Sequence, residues 1–168
     1  MKQIRNIFAA AVLFLGTQFT TSAQDKIAHV NFAELVQAMP ETAAAQKTLT
    51  DLQAKYKSDY DKMVNEFQTK ATKYQKEAPT AGDATNQARS KELQEAEMRI
   101  AQFEQTAAQE IQKKSIELNN PIMDKAFKAV EKVSNTGGYT YVFDSGSGLI
   151  IAKGKDLMAE VKKELGIK

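Results

Sequence analysis

From Ala45 to Tyr74 the apolar side chains recur in steps of 4, 3, 4, 4, 3, 4, 4 and 3: Ala45, Leu49, Leu52, Tyr56, Tyr60, Met63, Phe67, Ala71 and Tyr74. That spacing puts them on one face of a single long helix. The repeating 3-4-4 step is an 11-residue period, which favours a straight or slightly right-handed arrangement over a left-handed heptad coil. So narrow a stripe needs a partner. Leu93, Ala96, Ile100, Phe103, Ala107, Ile111 and Leu118 form a second stripe that can supply it. Between the two lies "APTAGDATN", in which Pro79 stops the first arm, Gly82 allows the chain to reverse and Asp83 caps the second arm. The pattern therefore predicts an antiparallel helical hairpin over residues 41–120 with its tip at 79–83. Pro40 lies 41 residues before Ala81 and Pro121 lies 40 residues after it, so the two prolines are level across the hairpin. The arm should project on the order of 60 Å beyond them.

The flanking segments follow a different pattern. In "KIAHVNFAELVQAMPE" Ile27 to Phe32 suits a short strand, Asn31 to Glu34 matches a capping box opening a helix, and Pro40 breaks or kinks that helix at Met39. Asn120 and Pro121 restart a helix or mark a kink, and Ile122, Ala126, Val130 and Val133 then share one face before Gly137 and Gly138. "YTYVFD" and "GLIIAKG", separated by "SGSG", read as a strand, a tight turn and a strand; "KDLMAEVKKELG" closes the chain as an amphipathic helix ending at Gly166. Residues 24–40 and 121–168 thus make a small β/α body, marginal alone without disulfides or metal. Ile27, Val30, Phe32, Tyr141, Phe143, Leu149 and Ile151 exceed, with their neighbours, what one three-stranded sheet and two helices can cover. Association of several bodies through these residues is the expected solution.

Composition changes the picture at the N-terminus. Lys2 and Arg5, the short apolar run Ile7 to Gly16, and the small residues Thr21 and Ala23 together read as a secretory signal over residues 1–23, cleaved after Ala23. Cleavage removes two of the 23 basic residues and none of the 21 acidic ones, leaving a formally neutral chain with no electrostatic reason to bind nucleic acid. Charge placement is uneven all the same. Lys70, Lys73, Lys76, Arg89 and Lys91 outnumber Glu77 and Asp83 near the tip, whereas residues 92–120 carry six acidic and three basic groups. The basic tip is either a solvated helix surface or a contact for cargo or an anionic membrane.

Catalytic chemistry finds little footing. His29 is the only histidine and there is no cysteine, so a transition-metal site is not expected. "GSG" at 146–148 lacks the rest of a dinucleotide loop, and Ser145 and Ser147 have no base but His29 to activate them. The chain reads as a non-enzyme with no cofactor.

The combination of a signal, "KIAHVNFAEL", a proline, a long charged hairpin and "YTYVFDSGSGLIIAKGKDLMAEVKKEL" resembles the Skp/OmpH family of periplasmic chaperones across the whole mature chain. The resemblance implies a mostly α fold with a small β-rich body, assembled as a jellyfish-like homotrimer whose hairpin arms enclose a cavity. It also implies an ATP-independent periplasmic holdase whose partners are unfolded outer-membrane β-barrel proteins. Two departures stand beside it: strongly basic family members contrast with this neutral chain, and no basic cluster here matches a lipopolysaccharide site residue by residue. The competing readings are a periplasmic spacer and a membrane-surface protein whose basic tips touch anionic membrane or lipopolysaccharide transiently. Val64 and Met98 lie off the two stripes, each 17 residues from Ala81. They form either one small apolar client-contact spot partway up the arm or an irregular stretch of interarm packing.

Overall fold

The computed structural model describes residues 26–148 and 154–167. Strand β1 (Ile27–Val30) leads into helix α1 (Phe32–Ala38), the ascending arm α2 (Pro40–Ala81) and the descending arm α3 (Asp83–Gly137). Strand β2 (Tyr141–Asp144), a 3₁₀ turn (Ser145–Ser147), strand β3 (Lys155–Asp156) and helix α4 (Met158–Leu165) complete the body.

Local chemistry sets each boundary. The Asn31 carboxamide oxygen accepts from the Glu34 N–H at 3.1 Å, satisfying one of the orphan donors that open α1. Met39 is extended (φ −73°, ψ 133°), as the residue before a proline prefers, and Pro40 enters α2 at its first position, where a missing N–H costs nothing. The Thr42 hydroxyl bridges this corner by donating to the Val36 carbonyl at 2.5 Å. At the far end Gly82 adopts φ 76°, ψ 160°, a region closed to side-chain-bearing residues, and there the chain reverses.

Three expectations about breakers need correction. Pro79 does not stop the first arm; it lies in the last turn of α2, which continues to Ala81. Asp83 is the first residue of α3 rather than its cap, and Gly82 holds the cap position without a side chain. Asn86 does the stitching instead, its amide nitrogen donating to the Ala78 carbonyl across the turn at 2.9 Å. Nor does Pro121 restart a helix, since α3 runs through it as one 55-residue element. One proline in so long a helix removes a single hydrogen bond, and the packing on either side of it outweighs that loss.

Both apolar stripes face where their periodicity puts them. Every residue of the two rows is buried or half-buried, and Tyr56 meets Phe103 edge-to-face with ring centroids 5.9 Å apart. At the base of the arm Glu41 pairs with Lys125, which brings the two proline regions to the same height. There α3 leaves the arm and packs on the body through Ile122, Ala126 and Ala129.

The sheet has order β2-β1-β3, and both pairings are parallel. Among the described strands β1 lies between the two later ones. Residues 149–153, which include the expected contacts Leu149 and Ile151, lie outside the described residues, as does the expected signal over 1–23. Residues Ala28 and Val30 of β1 join Leu35, Met39, Ala126, Leu157 and Val161 in one core. Small side chains at Ala28 and Ala126, both essentially inaccessible, let helix and sheet backbones approach closely.

Candidate functional site

The body presents an uncovered sheet face. Side chains alternate along a strand, so Ala28 and Val30 point into the core while Ile27 and His29 point the other way. Register places Tyr141 beside Ile27 and Phe143 beside His29, which extends that outward face across two strands. Ile27, Tyr141 and Phe143 are 52%, 55% and 41% exposed, and the two aromatic rings lie near-parallel with centroids 6.4 Å apart. Parallel sheets are ordinarily covered on both faces. Here one face has the protomer's core and the other is left uncovered by the described residues.

Among the residues expected to join bodies together, Val30 is 2% exposed and belongs to the protomer's own core, so it is not available as an intersubunit contact. Phe32 is half-buried and stacks on Phe127 at 4.3 Å between centroids, while the Asp144 carboxylate accepts from its N–H at 3.1 Å. Among the described members of that set, Ile27, Tyr141 and Phe143 hold positions on the open face.

The arm tip carries a cross-helix polar cluster that charge counting did not reveal. Lys70 reaches across to Glu92 at 2.6 Å, and the Tyr74 hydroxyl donates to the other oxygen of the same carboxylate at 2.5 Å. Arg89 binds Glu77 at 2.5 Å and lies over the Tyr74 ring, 4.6 Å from its centroid. Two of the five expected tip cations thus fasten α2 to α3. Lys73, Lys76 and Lys91 are exposed and form no ion pair among the described residues. Val64 and Met98 also separate: Val64 is half-buried, whereas Met98 is 63% exposed, so they do not present one equally open spot.

The fastening has a definite pH window. Hydrogen bonds from Lys70 and then Tyr74 hold the Glu92 carboxyl below its ordinary value of 4.5. The same carboxylate raises Lys70 and Tyr74 above theirs. A depressed acid contributes stability above its unfolded value and loses it as pH falls through the folded one; the raised Lys70 and Tyr74 contribute below their unfolded values and lose it as pH climbs through the folded ones. The tip is therefore expected to be tightest between about pH 5 and 10. Amide exchange over residues 74–92, corrected for intrinsic rates, should accelerate roughly two- to fivefold below pH 4. Glu92→Gln should flatten that response; an acid response unchanged in the variant would mean the cluster does not hold the tip.

A long helical hairpin rooted in a small parallel-sheet body defines an arm-and-body protein. The chain belongs to the OmpH-like family, whose description is Outer membrane protein (OmpH-like) and whose pattern matches residues 26–165. It is 26% identical over 153 residues to Chaperone protein Skp of Pectobacterium atrosepticum, covering 91% of this chain and 93% of the relative. It is also 26% identical over 164 residues to Chaperone protein Skp of Photorhabdus luminescens, covering 96% and 99%. At the level of the family the chain falls among chaperones rather than enzymes.

Proposed function

We propose that this protein is an ATP-independent periplasmic holdase that keeps unfolded outer-membrane β-barrel proteins from aggregating between the helical arms of a homotrimer. The observation that carries the reading is full-length similarity to chaperones named Skp in a chain built as one arm on one small, open-faced body. Body association through Ile27, Tyr141 and Phe143 would set several arms side by side and give the enclosed space its walls. A chaperone in a compartment without ATP has only binding and mass action to work with, which suits a large, shallow surface rather than a catalytic pocket. The division into a body of residues 24–40 and 121–168, an arm of 41–120 and a signal of 1–23 cleaved after Ala23 belongs to the same proposal.

A second reading, transient contact of the arm tips with an anionic membrane or lipopolysaccharide, is favoured by the exposed lysines at 73, 76 and 91, which have no ion pair among the described residues. Two experiments separate them. Dilution of a urea-unfolded β-barrel protein into buffer should give clear solutions when the protein is present in stoichiometric excess, with no requirement for nucleotide. Aggregation at the uncatalysed rate would sink the holdase reading, and flotation of the protein with anionic liposomes, lost in high salt, would favour the second.

A further inference from the structure

The side of α3 turned away from α2 is uncharged over most of its length. At ~100° per residue, Met98, Ile116, Met123 and Phe127 fall within about 20° of one line along the helix. Gln102, Gln105, Gln109 and Gln112 fill the stretch between Met98 and Ile116, within about 40° of the same line. All eight side chains are exposed. From Gln94 to Phe127 no Asp, Glu, Lys or Arg lies within about 50° of that line, although 26% of the chain is charged. Ala107, on the opposite side of the helix, is the residue buried against α2.

Several of the charges that flank this ridge are held by ion pairs. Lys114 binds Glu117 at 3.1 Å, Lys128 binds Asp124 at 2.7 Å, and Lys125 pairs with Glu41. The outward side of α2 differs, carrying the exposed pairs Lys47–Asp51 and Lys57–Asp61. The four glutamine amides make no hydrogen bond to other described residues, so each offers two donors and an acceptor outward.

We infer that this ridge is a contact track for an extended, uncharged segment of unfolded polypeptide, a conclusion that rests on the holdase reading and assigns its client surface. An unfolded chain presents unpaired peptide N–H and C=O groups, which side-chain amides match in both senses, together with apolar side chains, which Met98, Ile116, Met123 and Phe127 can cover. Peptide groups are common to every sequence, so the contact is tolerant; Met adds adaptability at two of the apolar positions. A surface without charge complements a partner without charge and holds it independently of salt. The ridge from Met98 to Phe127 is about 44 Å long, room for roughly 13 residues of extended chain. A second copy of α3 is the poorer occupant. Packing two such helices together would bury four successive glutamines in a helix–helix seam, where their amides find no peptide groups to pair with.

The test compares the full-length protein with Gln102, Gln105, Gln109 and Gln112 all changed to Glu, the same four changed to Lys, and Met98→Ser combined with Ile116→Ser. The probe is a urea-unfolded, fluorescently labelled β-barrel protein diluted into low and high salt. All three variants should bind about tenfold more weakly, with helix content and melting temperature unchanged, and the unmutated protein should bind equally at both salt concentrations. Binding equal to that of the unmutated protein overturns the ridge and leaves the holdase reading standing. No binding by the unmutated protein overturns the holdase reading itself. Weakening by Glu but not by Lys would make the contact electrostatic, and a changed sedimentation coefficient in the variants would reassign the ridge to self-association; either result overturns the proposal.

Discussion

Changing Phe143 to Asp is expected to split the assembled protein into subunits and to lower its melting temperature in the same step. Phe143 stands on the open sheet face beside Tyr141, and with Ile27 the two form an apolar patch that no other described residue covers. In an assembled body the new carboxylate would be taken out of water without a partner, at a cost of about 3–5 kcal/mol for each copy. In a lone subunit it would be solvated and nearly harmless, so the penalty falls on association rather than on folding. Coupling between the two follows from size. A body of this kind has little core of its own and gains stability when its second sheet face is covered. Sedimentation velocity and thermal unfolding across a concentration series measure both effects. A stable monomer in the unmutated protein at micromolar concentration, or a Phe143→Asp variant that stays assembled, would remove the basis for this account of the open face.

What the sequence made legible was whatever depends on near neighbours. The two stripes needed only the 3.6-residue period, and each of their residues is turned inward as that period requires. The turn at Gly82 and the corner at Met39 and Pro40 were equally local. Proline misled because its cost depends on position and on surrounding packing: Pro79 sits where few hydrogen bonds remain to be lost, and Pro121 sits in a helix held on both sides of it. Sheet order was not legible, since β1 inserts between strands more than a hundred residues later in the chain. The bond from Phe32 to Asp144, which ties the end of β1 to the end of β2, has no signature at either residue.

The candidate surfaces divide along the same line. Counting charges found five cations near the tip, but only the fold brings Lys70 to Glu92 and Arg89 to Glu77, leaving three with no ion pair among the described residues. Searching for apolar rows set Met98 off the stripes and paired it with Val64. It belongs instead to a line whose other members are mostly amides, a feature defined by missing charge rather than by hydrophobicity, and one that becomes visible once the buried side of α3 is known.

Leu35→Ala should have the larger effect on folding itself. Leu35 is fully buried in α1 and belongs to the same core as Val30 of β1, Ala126 of α3 and Val161 of α4, so it lies where every layer of the body meets. Truncation removes its transfer free energy and leaves a cavity that these elements cannot close independently, which costs about 2–5 kcal/mol. A single core in a body so small supplies on the order of 3–5 kcal/mol, so the variant's body should be largely unfolded at growth temperature unless association rescues it. Arm positions should respond differently. Leu52→Ala deletes a half-buried side chain from a long stripe in which neighbouring turns continue to pack, so its cost should stay near ~1 kcal/mol. Urea titrations followed by circular dichroism separate the two cases: Leu35→Ala should shift the midpoint several times further than Leu52→Ala and abolish assembly with it, because the open sheet face exists only when the body is folded. Equal shifts would mean that arm and body unfold as one unit and that the arm, not the core around Leu35, sets the stability of the molecule.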